Sequence, residues 1–328
     1  MIKLTRRAFA LSLPAASILA SGSSPNFASA QGVLGKAAQS STHATALSPA
    51  AQFRIGRFTI TALTDGYADM PFSYFPGRSA QETEAAAIAV SAAKPNGIRF
   101  MFNQYLVDDG ERLILIDTGP AGSLGQTGKL PAALERIGVR PESIGAIIIT
   151  HAHQDHIGGL VAGGRQNYPQ SEIYVDRREV TYWTDPAKRA SAPDYVQNSF
   201  ALSFDMVRLY PKLQAIDGER SISRGVSIID LAGHTPGHIG VRIEDNGQSL
   251  IMASDMLFPV VHPSATDVFF LFEQDRSAAK AMRDKFYPRA AEEKALIAAT
   301  HMPFPGLGRI VSDGGKLRWQ TAEWANQD

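Results

Sequence analysis

The sequence predicts one mixed α/β domain, and three observations support this fold class. Short apolar runs that suit β-strands recur along the chain and are interspersed with segments of helical periodicity. Several predicted strands end in polar residues, which is typical of loops that carry a functional site at a sheet edge. Neither a sequence repeat nor a clear linker interrupts residues 53–320, which favours one domain over two.

The first predicted strands follow from alternation and from turn residues. Residues 57–63 alternate apolar and polar side chains and stop at a Thr-Asp-Gly sequence at 64–66, which predicts a turn. Residues 103–107 and 112–116 flank an Asp-Asp-Gly sequence, which predicts a β-hairpin.

The middle of the chain supplies a helix and a buried strand. Residues 130–137 have apolar positions at helical spacing, and Gly138 is a suitable end. Residues 144–149 form a continuous apolar run, which predicts a strand buried on both faces. Further strands are predicted over 226–231, 240–243, 249–253 and 296–299, and a helix over 276–287 with Pro288 beyond it.

Residues 1–30 predict a secretory signal. An Arg-Arg pair at 6–7 precedes an apolar run over residues 8–20, and Ala-Ser-Ala at 28–30 forms a small-x-small cleavage site. The arginine pair is typical of the twin-arginine class, which predicts a periplasmic or secreted protein. The apolar run is shorter than the roughly 20 residues that a membrane-spanning helix needs.

The segment after this signal predicts a flexible lead-in. Residues 31–52 are rich in Ala, Ser, Gly and Thr and lack a periodic apolar pattern. The ordered domain is therefore predicted over residues 53–328. A domain of this length buries enough surface to be stable without disulfide bonds.

Composition excludes some partners and one class of metal ligand. The 32 Lys and Arg residues balance the 32 Asp and Glu residues, so the formal net charge is zero. The chain lacks the basic excess that would indicate a nucleic-acid partner. It also lacks a polybasic tract that would indicate stable membrane association after cleavage. The chain has no cysteine, which excludes disulfides and thiolate ligands. A small-molecule substrate is the partner that composition leaves open.

The sequence THAHQDHIGG at 150–159 places three histidines and an aspartate within six positions, directly after the apolar run at 144–149. Crowding so many basic and acidic groups without a metal ion would be costly. Other polar residues follow other predicted strands. The residues at strand ends are Asp117, His151, His153, Asp155, His156, His234, Asp255 and His301.

Imidazole and carboxylate ligands together predict zinc, with iron, manganese or cobalt as alternatives on ligand type. His151 and His153 are two residues apart and can face one ion, whereas Asp155 and His156 begin a short helix and can serve a second. Glycines at 158 and 159 would let that helix pack closely against the sheet. His238 is interpreted as a supporting or structural residue and not as a ligand.

The motifs HAHQDHIGG, GHTPGH, Ser254-Asp255 and the late His301 resemble those of the metallo-β-lactamase superfamily, in the family's order. This resemblance implies a four-layer αββα sandwich of two mixed β-sheets flanked by helices. It also implies that one metal is held by His151, His153 and His234, and the other by Asp155, His156 and His301. Asp255 would bridge the two ions, and Asp117 would orient a ligand histidine.

Several segments are similar to the secreted methyl parathion hydrolase-like branch, among them LILIDTG at 113–119 and HMPFPGLGRI at 301–310. In that branch the leaving group lies in an aromatic pocket, which the resemblance places at Trp183, Phe200 and Phe258. Leu124 stands in a shorter loop where the branch has a pocket aromatic. Core packing is the alternative for Trp183. The branch also implies a homodimer.

The function these observations predict is that of a di-metal hydrolase, most simply with two zinc ions. A metal-bridging hydroxide, oriented by Asp255, would attack a neutral ester-like substrate. A lactone or an aryl ester ranks ahead of an organophosphate triester. The alternatives are a glyoxalase-type thioesterase, a mononuclear-iron persulfide oxidase and a non-enzymatic metal-binding module. The lack of cysteine, and His153 in place of a glutamate, disfavour thiolate-dependent β-lactamase and flavo-diiron branches.

Overall fold

Two mixed β-sheets pack face to face in the computed structural model, which describes residues 49–95, 97–261 and 263–322. The first sheet has the order β1-β2-β4-β5-β6-β7-β8, with β3 beside β4. Its strands are β1 (Ala50–Ile55), β2 (Phe58–Met70), β3 (Ala93–Lys94), β4 (Gly97–Asp108), β5 (Leu113–Ile116), β6 (Ile144–Ile148), β7 (Glu172–Asp176) and β8 (Gln214–Ile216). The strands from β5 to β8 run parallel to one another, and the others pair antiparallel.

The second sheet has the order β15-β14-β13-β12-β11-β10-β9. Its strands are β9 (Arg220–Ser223), β10 (Val226–Asp230), β11 (Ile239–Asp245), β12 (Gln248–Met252), β13 (Leu296–Ala298), β14 (Leu307–Asp313) and β15 (Lys316–Thr321). Only the β12–β13 pair is parallel among these described strands.

Helices cover the outer faces of both sheets. They are α1 (Ala80–Ala89), α2 (Leu130–Arg136), α3 (Gln154–Val161), α4 (Arg177–Trp183), α5 (Pro186–Ser191), α6 (Gln197–Leu209) and α7 (Arg276–Glu292). Within the described residues, no helix combines the length and the apolar character that crossing a membrane requires.

Three buried clusters hold these layers together. Between the sheets, alternate apolar residues such as Ile60 and Ile148 meet Ile228 and Val241 of the opposite sheet. A second cluster packs the outer face of the first sheet against α2, α3, α4 and α6, and a third packs the second sheet against α7. The αββα fold class is thereby confirmed.

The predicted hairpin is confirmed, because β4 and β5 pair antiparallel with Tyr105 opposite Ile116. The predicted helix over 130–137 is α2, and Gly138 follows it with a φ of 76°. The buried strand at 144–149 is β6, whose parallel partners lie on both sides.

Three predicted boundaries are wrong. Strand β2 does not stop at residue 64: a register shift at Gly66 carries it on to Met70. Helix α7 continues through Pro288 to Glu292, because Phe286, Tyr287 and Ala290 are buried around the proline and offset its missing hydrogen bond. The first strand begins at Ala50, so residues 50–52 belong to the domain and not to the lead-in. The predicted signal at 1–30 lies outside the described residues.

Helix α3 packs closely against the loop that follows β5. The backbone N–H of Gly159 donates to the carbonyl of Gly119 at 2.9 Å. A Cβ atom at Gly159 would lie 2.1 Å from the carbonyl oxygen of Thr118. The glycines therefore allow the close helix packing that the sequence predicts, and α3 approaches the backbone just beyond the end of β5.

The substitution Gly159→Ala is expected to destabilise the protein by about 2–3 kcal/mol, because the backbone of Thr118 has to move to admit the methyl group. Gly145→Ala is the control, since its Cβ would lie 3.3 Å from the Cβ atom of Arg112, a contact that a shift of a few tenths of an ångström relieves. Urea unfolding followed by circular dichroism measures both. Equal stabilities for the two variants would contradict this account of the α3 packing.

Candidate metal centre

The polar residues predicted at strand ends lie together at one rim of the sandwich. The carboxyl ends of the parallel strands β5 and β6 lead into Asp117 and His151, and those of β12 and β13 lead into Asp255 and His301. His234 follows β10. Because parallel strands end at the same sheet edge, residues far apart in sequence converge there.

Four of these side chains form group one: His151, His153, His234 and Asp255. The Nδ1 atom of His153 lies 3.0 Å from Nε2 of His151 and 3.0 Å from Nε2 of His234. The Oδ2 atom of Asp255 lies 3.7 Å from Nε2 of His151 and 3.3 Å from Nε2 of His234. One ligand atom from each of the four side chains lies within 4.8 Å of the other three.

The other three side chains form group two: Asp155, His156 and His301. The Oδ2 atom of Asp155 lies 3.6 Å from Nε2 of His156 and 3.5 Å from Nε2 of His301. Asp255 faces this group as well, with Oδ1 at 3.3 Å from His156 and Oδ2 at 3.2 Å from His301. Asp255 therefore lies between the two groups.

The imidazole–carboxylate distances of 3.5–3.7 Å fit ligands of a shared metal ion better than hydrogen bonds. Ligand atoms about 2.0–2.1 Å from a tetrahedral zinc ion are separated from each other by roughly 3.4 Å. The buried Nε2 of His156 has no hydrogen-bond partner among the described residues, although two carboxylates lie near it. The residues present therefore suit two zinc-like ions, one in each group.

Outer contacts orient the histidines of group two. The Nδ1 atom of His156 lies 2.8 Å from Oδ2 of Asp117, and Nδ1 of His301 lies 3.0 Å from the carbonyl oxygen of Met101. Each contact leaves Nε2 directed at the other ligands. Asp117 thus occupies the orienting position that the resemblance implies.

Asp117 also connects the two sheets through Thr150. It accepts hydrogen bonds from the Thr150 N–H and hydroxyl, both at 2.8 Å, and the Thr150 hydroxyl lies 3.0 Å from Oγ of Ser254. Asp117 and Ser254 have φ values of 60° and 45°, which non-glycine residues rarely adopt. Such strain is typical of functional sites.

Electrostatics distinguish the two groups. Burial holds the pKa of His151 and His234 well below the ordinary value and lowers that of His153 to about 3. Burial also opposes charge on His156 and His301, but the facing carboxylates of Asp255 and Asp155 outweigh it and raise both pKa values. Metal ligation needs neutral imidazole, so group one is already in the binding form.

Burial would raise the pKa of Asp255, but the positive charges on His301 and His156 hold it well below the usual range. Asp255 is therefore an ionised carboxylate. Its side chain and the five ligand histidines are 3% exposed or less, whereas the side chain of Asp155 is 16% exposed. Asp155 marks the side of the centre that is nearest to solvent.

His238 belongs to neither group. Its buried ring lies 5.1 Å from the ring of His151 and 5.8 Å from that of His234, and burial lowers its pKa to about 4. Its carbonyl oxygen accepts from the Leu231 N–H and helps to shape the loop that carries His234. This position agrees with a supporting role.

The structure favours core packing for the aromatic residues assigned to a substrate pocket. Trp183, Phe200 and Phe258 are fully buried and offer no surface to a ligand. Trp183 lies edge-on to His153 with ring centroids 5.2 Å apart, and Phe258 stacks on His301 at 5.4 Å. Leu124 is half-buried in the loop after β5 and is absent from the hydrophobic clusters of the described residues.

Other aromatic residues lie nearer the solvent, among them Phe270 and Phe272, for which the sequence left the mouth of the site and sheet packing as alternatives. Phe272 is half-buried, and its ring lies 6.3 Å from that of His153 and 5.1 Å from that of Tyr195. Tyr195 is among the most exposed large apolar residues described. Phe270, which packs beside Phe272, is buried. Contacting aromatic rings therefore extend from the surface towards His153 of group one.

Sequence analysis assigned no role to three buried polar residues of the site: Thr150, Glu179 and Ser254. Thr150 and Ser254 adjoin predicted ligands, and that proximity was an available signal. No sequence signal points to Glu179, because Arg177 and Arg178 before it suggest an exposed ion pair. Burial raises the pKa of Glu179, although hydrogen bonds from the backbone N–H groups of Ala152 and Gly237 act to lower it.

Comparison with known proteins agrees with this geometry. Residues 98–313 match the family model of the metallo-beta-lactamase superfamily. The N-acyl homoserine lactonase of Bacillus cereus is 24% identical over 170 residues, which cover 45% of this chain and 60% of that protein. The chain thus spans about 60% of the length of that relative.

Two solved structures cover more of the chain. The hydrolase AbOPH of the beta-lactamase superfamily has a TM-score of 0.79 and 28% identity, over 86% of this chain and 100% of that one. AidC, a dizinc quorum-quenching lactonase in complex with a product, has a TM-score of 0.77 and 26% identity, over 85% of this chain and 99% of that one.

The substitution Asp117→Asn is expected to weaken metal binding in group two by about 10- to 100-fold, because one amide oxygen cannot accept from both the His156 ring and the Thr150 backbone N–H. Asparagine tolerates the left-handed backbone of this position, so the variant should fold. Zinc content after dialysis against a competing chelator measures the effect. Two zinc ions held with unchanged affinity would show that Asp117 does not orient His156.

Proposed function

This chain belongs to the metallo-beta-lactamase superfamily, and we propose that it is a metal-dependent hydrolase with two divalent ions, zinc by preference, that cleaves neutral ester-like substrates. The observation that carries this proposal is the pair of ligand groups that share Asp255. A carboxylate between two ligand sets is the arrangement of binuclear hydrolases.

Two bound divalent ions would supply Lewis acidity and lower the pKa of water, and two ligating carboxylates leave an excess of positive charge for the transition state. The chain's own residues would hold the two ions and orient the reacting groups. Asp255 would lie between the groups, with Oδ2 facing His234 and His301 and Oδ1 facing His156, and its ionised state suits accepting a proton inside the buried centre. Buried aromatic rings around His153 and His301 would exclude water, which strengthens every charge interaction in the site.

A lactone is the first candidate substrate. The contacting rings of Phe272 and Tyr195 offer apolar surface near group one, which suits an acyl chain or an aryl group. The lactonase similarity of the Bacillus cereus protein and of AidC supports an N-acyl homoserine lactone in particular. Aryl esters have the same neutral carbonyl and rank beside it.

An organophosphate triester is the second candidate. It rests on the segments that are similar to the methyl parathion hydrolase-like branch, and the burial of Trp183 and Phe200 weakens it, because buried rings cannot contact a leaving group without rearrangement. A mononuclear-iron persulfide oxidase is disfavoured, since it would need only part of the seven-ligand set. The glyoxalase-type thioesterase expects a basic patch for an anionic cosubstrate, which sequence analysis did not identify.

We expect zinc-dependent turnover of the lactone and the aryl ester, with the phosphotriester slower. The purified protein would be tested after chelator treatment and after zinc reloading, on N-hexanoyl-homoserine lactone, an aryl acetate and a dimethyl aryl phosphotriester. The Asp255→Asn variant should lose at least about 100-fold in kcat/KM, because it disrupts both ligand groups. A variant with full activity and full zinc content would refute the shared-carboxylate assignment, and a preference for the triester would reverse the substrate order.

Export by the twin-arginine route is a further part of the proposal. It is supported by the Arg-Arg pair at 6–7 and the Ala-Ser-Ala site at 28–30. Replacing both arginines by lysine should retain the full-length chain in the cytoplasm, whereas the wild type should be found processed outside it. Cell fractionation and N-terminal sequencing measure both. Export of the lysine variant at the wild-type level would exclude this route.

A further inference from the structure

Glu179 of helix α4 is fully buried behind the metal centre, yet it is not one of the ligands. We propose that Glu179 is the positioning residue that holds the two histidine-bearing loops of group one at the spacing one metal ion requires. The inference deepens the proposed function and rests on its binuclear centre.

The contacts of Glu179 come from both loops. Its Oε2 accepts the N–H of Ala152 at 2.8 Å, and Ala152 lies between the ligands His151 and His153. Its Oε1 accepts the N–H of Gly237 at 2.6 Å, in the loop that carries His234. One carboxylate thus joins two segments that are otherwise separated by about eighty residues of chain, at the point where both supply ligands to the same ion.

Helix α4 is itself held against these loops. A Cβ atom at Gly237 would lie 2.9 Å from the backbone nitrogen of Glu179, so only glycine permits this approach. The Nε1 atom of Trp183 donates to Oε2 of Glu179 at 2.9 Å, and the Trp183 ring lies edge-on to His153. Glu179 therefore acts on His153 through Ala152 and through Trp183.

A purely structural role would have a different pattern of contacts. A residue that only stabilised α4 would bond to its own helix or to the sheet, as Asp176 does. The Asp176 carboxylate accepts from the N–H groups of Arg178 and Gly218 and pairs with the Arg178 side chain. Its Oδ1 lies beside Gly237, but among the described residues neither ligand loop donates a hydrogen bond to it. Asp176 is also buried and lies at the start of the same helix. It is the matched control.

The test is Glu179→Gln in the full chain, because glutamine keeps the shape and cannot accept at both oxygens. Zinc affinity would be measured by chelator competition in two backgrounds, His301→Ala to report group one and His153→Ala to report group two. Glu179→Gln should weaken group one by about 10- to 100-fold and change group two by less than about threefold. The d–d absorption of cobalt bound to group one should change as well.

Asp176→Asn should lower the melting temperature and leave both zinc affinities and the cobalt spectrum unchanged. Equal losses in both groups for Glu179→Gln, or none, would overturn the inference while leaving the binuclear centre intact. A wild type that binds no zinc in either group would overturn the proposed function and the inference together. These failures are thus distinguishable.

Hydrogen exchange on the wild type tests the two hydrogen bonds of Glu179 to the ligand loops without any substitution. The amide protons of Ala152 and Gly237 should be strongly protected in the metal-free protein, because the Glu179 carboxylate binds both. Fast exchange at either amide would contradict the proposal, whatever the folding of the glutamine variant.

Discussion

Seven ionisable ligand side chains meet at one rim of the sandwich with little access to water, and the free-energy cost of burying them constrains the surrounding structure. Burial of an unpaired charge costs several kcal/mol. The site limits this cost by holding the pKa of the group-one histidines low, so that their imidazoles are neutral, and by facing the carboxylate of Asp255 towards the histidines of group two, whose pKa it raises. Metal ions in the two groups would balance the buried carboxylates.

Supporting residues keep these ligands in place from outside the centre. Asp117 and Thr150 fix group two and connect the first sheet to Ser254 of the second. Glu179 connects the two loops of group one. The strained backbone at Asp117 and Ser254 is held by the sheets that flank it. The ligands are thus positioned by rigid strand ends, and the buried rings of Phe258 and Trp183 seal them from water.

The sandwich, and the convergence of seven candidate ligands at one rim, could be predicted from sequence because their signals are local. A histidine cluster directly after an apolar strand needs no tertiary information to be noticed, and the strand that carries it is a short continuous run. The features that could not be predicted depend on packing. Helix α7 continues past Pro288 because its neighbours are buried, and β2 passes Gly66 through a bulge. Glu179 follows two arginines and resembles a surface residue until Ala152 and Gly237 are placed against it.

The most direct measurement of the central claim is anomalous diffraction at the zinc edge from crystals of the zinc-loaded protein. The account predicts two anomalous peaks about 3.5–4 Å apart, one among His151, His153 and His234 and the other among Asp155, His156 and His301, with Asp255 between them. A single peak, or a second ion bound elsewhere on the chain, would contradict the binuclear centre.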